Sequence, residues 1–122
     1  MVSAIFIVIA AICNAVMDKV QSHYSKSIFK DLNSKWWNPK ESWKNKWKNG
    51  DPAQGEAFLG SSTVFVLFTD AWHFFQFLFL SFLFLAVVFY APMVNWVVDF
   101  IVYHVVLGMV FELFFAKIFA KE

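Results

Sequence analysis

The sequence predicts an all-α integral membrane protein with three transmembrane helices and a short amphipathic helix in the membrane interface. Hydrophobic residues make up 60% of the 122 residues, and charged residues make up 16%. Three long apolar stretches are separated by one polar stretch and one short turn. A soluble domain of this length has too little interior to bury so much apolar surface, so the excess is expected to face lipid.

The chain is expected to form a single membrane domain with spans over about residues 2–18, 64–90 and 94–118. Ser61-Ser62-Thr63 is the expected N-cap of the second span, and Pro92 lies just beyond its end. A helix over 64–90 is about 40 Å long, whereas the hydrocarbon core is about 30 Å thick. Its first turns are therefore expected in the headgroup region or in a protein-lined notch.

The polar stretch, roughly residues 19–60, contains a helix predicted over 39–48. Asn38 suits its N-cap, Pro39 suits its first turn, and Asn49-Gly50 suits its end. Tryptophan and lysine alternate in and beside this helix, at Trp36, Trp37, Trp43, Trp47, Lys44, Lys46 and Lys48. An indole ring sits well at headgroup level while an ammonium reaches phosphate. This helix is therefore expected to lie along a bilayer with anionic headgroups.

The basic residues are unevenly distributed and predict an orientation. All ten are lysines, eight lie between Lys19 and Lys48, and the others are Lys117 and Lys121. Positive charge is retained on the cytoplasmic side, so the N-terminus is expected outside, with the lysine-rich loop and the C-terminus in the cytoplasm. The net charge is only +1, so nucleic acid is not an expected partner.

Ionisable side chains inside membrane spans are costly and usually face the bundle interior or water. Helical rise places His73 and Glu112 each about 26 Å from the outer ends of their spans. Asp18 lies about 24 Å from the start of the first span by the same measure. Asp70 is one turn from His73, and His23 follows Asp18 in the loop. These five residues are expected to form one polar layer at the cytoplasmic interface.

The chemistry of this layer fits a divalent metal ion or a di-metal centre. Asp70 and His73 are three residues apart on one helical face, similar to the Glu-x-x-His ligands of di-iron bundles. The predicted metal ligands are Asp70, His73, His23, Asp18 and Glu112. A metal would activate water there, with Glu112 or Asp18 as catalytic base. The leading hypothesis is a hydrolase that acts on a lipid or lipid-linked substrate.

Two other functions stay open. One is a non-catalytic subunit of a membrane complex or a homo-oligomer, with the phenylalanine-rich faces as partner surface. The other is a proton or ion path along Asp70, His73, His104 and Glu112. Simpler structural interpretations also exist: a carboxylate such as Asp70 is favoured at a helix N-terminus. His104 suits a helix–helix hydrogen bond, and Asp99 suits a cap at the outer edge.

Four short motifs add a resemblance. They are HYSKSIF at residues 23–29, WNP at 37–39, SWKNKW at 42–47 and TDAWH at 69–73. Together they resemble a family of small bacterial and phage-borne membrane proteins without an established activity, and the similarity covers roughly residues 14–90. The resemblance implies a location in a bacterial inner membrane and assigns no catalytic residue.

Overall fold

A computed structural model describes residues 2–121 of the chain, and its architecture is helical. The long helices are α1 (Val2–His23), α4 (Ala71–Val88) and α5 (Trp96–Leu113), the last of which continues as a π-helical turn over Phe114–Ile118. Each is long and apolar enough to cross a membrane by length and composition. Within residues 2–121 extended pairing is limited to two isolated bridges. The predicted helical class with three candidate spans is confirmed.

Helix α1 is the centre of the bundle and packs against both α4 and α5. Half of the residues in the most apolar 18-residue stretch of the first span are buried. The corresponding share is 11% for α4 and 6% for the third span. Ala10, Ala11 and Ala15 are fully buried, and such small side chains let helices approach closely. Near the start of α1 the Ser3 hydroxyl donates to the Ala86 carbonyl of α4 at 2.7 Å. The outer faces of α4 and α5 are left apolar and exposed.

The turn between α4 and α5 is organised by one buried carboxylate. Asp99 accepts hydrogen bonds from the Tyr90 hydroxyl at 2.7 Å and the Met93 amide at 2.9 Å. The Val94 amide donates to the same carboxylate at 3.3 Å. Asn95 is the N-cap of α5, since its side-chain oxygen accepts two amide groups of the first turn. The predicted capping role of Asp99 at this end of the bundle is confirmed.

At the opposite end, the chain after α5 returns to the segment after α1. The Ile28 amide donates to the Phe119 carbonyl at 2.9 Å, and the Lys121 amide donates to the Lys26 carbonyl at 2.7 Å. Lys121 also forms an ion pair with Asp31, whose hydrogen bond lowers the pKa of that carboxyl. We call this pairing the C-terminal strap. It brings the two lysine-rich parts of the chain to the same end of the bundle.

The predicted second span is wrong at its start. Residues 66–68 form a short 3-10 turn, and α4 begins only at Ala71. The Ser61 hydroxyl donates to the Lys46 carbonyl at 2.6 Å, so it does not cap a helix. Asp70 is the N-cap instead. The resulting helix is about 27 Å long, which matches a hydrocarbon core of about 30 Å far better than the predicted length.

The other predicted bounds need smaller changes. The sequence allows the first helix to continue beyond the predicted span, past Asp18 toward Ser25, and α1 does continue to His23. The third span begins at Trp96 instead of near residue 94. The start of α5 is set by its Asn95 cap, and the last residue of α1, His23, packs its ring against Phe115.

The predicted surface helix is shorter and tighter than expected. Helix α3 covers Pro39–Ser42 and is followed by a 3-10 turn over Trp43–Lys46, while a separate α2 covers Ser34–Trp37. The predicted cap is confirmed, since the Asn38 side chain accepts the Lys40 amide at 3.0 Å. The helix ends before the predicted residue 48 because Trp47 is extended and pairs with Glu56.

Overpacking between α1 and the neighbouring helices should be costly. Ala11 is fully buried, so Ala11→Leu must displace neighbouring atoms and is expected to lower the free energy of unfolding by about 1–3 kcal/mol. Ile5→Leu is the control, because Ile5 is 58% exposed and its change should stay within about 0.5 kcal/mol. Thermal unfolding in detergent micelles measures both, and equal melting temperatures would contradict the central placement of α1.

The turn that Asp99 organises should give one tyrosine an unusual titration. The hydrogen bond that Tyr90 donates to Asp99, together with the carboxylate charge, raises the pKa of Tyr90 to about 12. The folded state thus favours the neutral phenol. This contribution to stability is fully present below the unfolded value of about 10 and is lost as pH rises through about 12. Ultraviolet absorbance titrations of wild type and Tyr90→Phe should differ by one phenol that ionises near pH 12. If the extra phenol of wild type ionised near pH 10, the contact with Asp99 would be contradicted.

Candidate functional site

The candidate site begins with an aspartate and a histidine at the start of α4. Asp70 is buried, and one of its oxygens accepts the His73 amide at 2.8 Å. The other oxygen lies 2.8 Å from His73 Nδ1 and 3.4 Å from the Thr69 hydroxyl. The first contact is a helix cap, and the second orients the imidazole ring. The same carboxylate therefore starts the helix and holds the histidine, and we call this pair the Asp70–His73 dyad.

The dyad fixes which nitrogen of the ring is free to react. An ionised carboxylate only accepts hydrogen bonds, so His73 Nδ1 carries the proton that points at Asp70. The free lone pair of the ring is then on Nε2, since only Nδ1 contacts Asp70. The histidine side chain is 26% exposed, so this lone pair can meet a ligand. An imidazole held in this way is suited to take a proton from water or a hydroxyl group.

A small open pocket surrounds the dyad. Its volume is about 250 Å³, and it is lined by Gln21, Pro39, Ser42, Trp43, Lys46, Asp70, Trp72 and His73. Pockets for drug-sized ligands typically hold about 300–1,000 Å³. This one is smaller and suits a polar headgroup better than a whole molecule. It joins residues from α1, the polar stretch and α4, and we call it the dyad pocket.

The segment over residues 36–48, which is rich in tryptophan and lysine, covers one side of the dyad pocket, and we call it the roof. The side chain of Asn45 attaches the roof to the start of α4. Asn45 Nδ2 donates to the Thr69 carbonyl at 2.8 Å, immediately before the dyad, and to the Lys35 carbonyl at 2.6 Å. Trp43 and Lys46, which flank Asn45, both line the pocket. The roof is therefore fixed to the first residues of α4.

The predicted interface tryptophans divide into two groups. Trp36 and Trp37 are half-buried and pack against Phe74 and Phe75 of α4, with ring centroids 5.6 and 5.8 Å apart. Trp43, in contrast, is 41% exposed. Among the other predicted interface residues, Trp47 and Lys46 are half-buried and Lys44 and Lys48 are exposed. The segment thus attaches to the bundle with one face and presents lysines on the other.

Two groups that line the dyad pocket have no partner within residues 2–121. The Nε1 atom of Trp72 is buried and donates no hydrogen bond. Lys46 forms no ion pair. A buried donor without an acceptor costs about 1–3 kcal/mol. The unpaired ammonium of Lys46 favours a ligand that carries acceptor oxygens.

The structure does not assemble the predicted five-residue layer. Asp18 and Glu112 are exposed, on α1 and α5 respectively. His23 is exposed too, and its ring lies edge-on against Phe115 with centroids 5.2 Å apart. Across residues 2–121, no three His, Cys, Asp or Glu side chains come close enough to share a metal ion. Of the predicted ligands, the structure brings together only the dyad.

The predicted helix–helix role of His104 is not met within the described chain. His104 is exposed on α5, and its ring centroid lies 6.1 Å from that of Phe100 in the preceding turn. It does not line the dyad pocket, and neither does Glu112. The four residues of the hypothetical ion path therefore do not share one cavity.

Four residues that line the dyad pocket are not among the predicted site residues, namely Gln21, Pro39, Ser42 and Trp72. Gln21 belongs to the polar stripe of the first helix that also contains Asp18, and that stripe was the available signal. Ser42 is buried and carries no comparable signal. Its position depends on how the roof folds back, which no local pattern specifies.

Comparison of the chain with protein-family models, curated proteins and solved structures gives no match. The resemblance based on the four short motifs stays a prediction. The function of the site is accordingly argued from its own geometry.

Loosening the roof should be measurable without a substrate. Asn45→Ala removes two hydrogen bonds, worth together about 1–3 kcal/mol. The population in which the roof is open should rise about fivefold or more, and tryptic cleavage at Lys44, Lys46 and Lys48 should accelerate accordingly. Gln54→Ala is the control, since Gln54 bonds only within the exposed turn. Equal cleavage of both variants would show that Asn45 does not hold the roof.

Proposed function

We propose that this chain is a small polytopic membrane protein that hydrolyses a lipid or lipid-linked substrate, with the Asp70–His73 dyad as its general base. The observation that carries the proposal is the 2.8 Å contact between Asp70 and His73 Nδ1. It occurs in a pocket at the end of an apolar helix of membrane-spanning length, below a segment rich in tryptophan and lysine. A substrate anchored in the bilayer would deliver its polar end to that level.

The proposed reaction uses side chains of the pocket in separate roles. His73 Nε2 removes a proton from water, whose oxygen bonds to the carbonyl carbon or phosphorus of an ester. The ester oxygen leaves and takes the proton back from the imidazolium. Asp70 keeps the ring in place and stabilises its positive charge. The Lys46 ammonium is suited to the negative charge that develops on the carbonyl or phosphoryl oxygen.

The geometry favours this base over the predicted metal centre. Three hydrogen bonds already reach the Asp70 carboxylate, which has about four acceptor positions. One acceptor position on Asp70 and the Nε2 atom of His73 are what the dyad could still offer to a metal ion. A divalent ion at this position would draw its other ligands from water or substrate. Asp18 and Glu112 do not line the pocket, and they have no role in the proposed reaction.

We also propose that the pocket faces the cytoplasm of a bacterial cell, with the N-terminus outside. The support is the C-terminal strap, which holds the lysine-rich polar stretch and the segment after α5 at one end of the bundle. The opposite turn, over residues 90–95, contains no lysine. Segregation of lysine to one end is what the positive-inside rule associates with the cytoplasmic face.

An accessory subunit or homo-oligomer is the second candidate function. It is favoured by the low burial of the third span, in which only 6% of the residues in its apolar 18-residue stretch are buried. A span that packs so little against its own chain offers surface to another protein as readily as to lipid. Recovery of a stoichiometric partner or a stable homo-oligomer in mild detergent, with no lipid turnover, would support this candidate over the hydrolase.

The hydrolase is tested with purified protein in lipid nanodiscs that contain a panel of bacterial phospholipids and lipid-linked phosphates. Mass spectrometry follows the release of fatty acid, headgroup or phosphate. His73→Gln cannot accept the proton and should slow the reaction by about a hundredfold or more. Asp70→Asn should also slow it, because the ring loses its orienting carboxylate.

His104→Gln is the matched control, because it alters a histidine outside the pocket and should leave the rate unchanged. Thermal unfolding of each variant shows whether a loss of rate reflects a loss of fold. Turnover by His73→Gln at the wild-type rate would refute the base. A rate that disappears with a chelator and returns with a divalent metal would restore the metal mechanism.

A further inference from the structure

A second cleft lies beside the dyad pocket and shares Gln21 and Pro39 with it. Its volume is about 530 Å³, roughly twice that of its neighbour. The wall comes from the last turns of α1, the segment that follows, and the start of α3. Because the two cavities share wall residues, one ligand could extend from the second cleft to the dyad.

The lining of this cleft is basic. Lys30 and Lys40 both contribute to it, and no Asp or Glu does. Neither lysine forms an ion pair within residues 2–121. Asp31, which neighbours Lys30 in the chain, is engaged by Lys121 of the C-terminal strap. The two ammonium groups are therefore available to an anion, while the carboxylates of Asp31 and Glu41 also act electrostatically on Tyr24 in the cleft wall.

Hydroxyl groups complete the lining. Ser22, Tyr24 and Ser25 all border the cleft. The Tyr24 oxygen is buried and has no hydrogen-bond partner in the described chain. Burial of a hydroxyl without a partner is unfavourable. The ammonium groups of Lys30 and Lys40 and the hydroxyls of the exposed Ser22 and Ser25 are the donors that a phosphate, with its several acceptor oxygens, would use.

We propose that this cleft binds the phosphate of the substrate while the ester to be cleaved reaches His73 in the dyad pocket. The inference rests on the proposed function and narrows its substrate class to lipids that carry a phosphate group. The position favours a membrane source for that phosphate. The cleft lies at the end of a membrane-length helix, where lysine side chains extend toward lipid headgroups.

The proposal is tested by binding, without turnover, in uncharged detergent micelles. The ligands are dihexanoyl phosphatidic acid, dihexanoylglycerol as the matched lipid without phosphate, and inorganic phosphate as the source without a lipid. Wild type should bind the phosphatidic acid well above both others. The double variant Lys30→Gln with Lys40→Gln should bind it about tenfold or more weakly.

The matched control is Lys44→Gln with Lys48→Gln, which removes two exposed lysines outside both cavities and should keep wild-type affinity. Lys30→Arg with Lys40→Arg keeps the charge and should retain most of the binding, which separates a lost site from a lost fold.

Unchanged affinity in the Lys30→Gln and Lys40→Gln double variant would overturn the phosphate site, as would equal binding of dihexanoylglycerol. Inorganic phosphate that binds as tightly as the lipid would overturn the membrane source. His73→Gln should bind phosphatidic acid like wild type. If binding did not depend on the two lysines but turnover depended on His73, the phosphate site alone would be refuted. If binding depended on the lysines but no turnover occurred, the hydrolase alone would be refuted.

Discussion

The carboxylate of Asp70 is the group on which the candidate site depends. It caps α4 and so sets where the apolar helix begins. Its second oxygen holds the His73 ring, and the adjacent Thr69 carbonyl receives the roof through Asn45. Helix length, imidazole orientation and roof position therefore converge on two neighbouring residues. A change at Asp70 would alter all three together, because a helix that began earlier would move the histidine away from the roof.

Features governed by neighbouring residues could be predicted from the sequence, while features governed by distant contacts could not. Asn38 and Pro39 were identified because a cap and its helix are adjacent in the chain. The sequence wrongly predicts Ser61 as a cap, because its hydroxyl instead donates to the Lys46 carbonyl, fifteen residues earlier in the chain. A helix N-terminus is one of the interpretations that the sequence offers for Asp70, but the residue lies within a long apolar run, so no local boundary marks the start of α4 there.

The predicted polar layer shows a second limit. Helical rise gives the height of a residue along the membrane normal, but it does not say which neighbour the side chain faces. Glu112 and His73 have similar calculated heights, yet Glu112 is exposed on α5 and does not line the pocket. Gln21 does line it, although its side chain carries no charge. Whether a side chain lines the pocket depends on the rotation of its helix about the helix axis, and the sequence does not determine that rotation.

The C-terminal strap has a consequence for biosynthesis. Its backbone partners are separated by about ninety residues, as Ile28 and Phe119 illustrate. The segment after α1 leaves the ribosome long before the residues that hold it. Until α5 and the residues after it have been synthesised, that segment lacks this anchor. The basic cleft, whose wall includes Lys30, would consequently be among the last parts of the molecule to take shape.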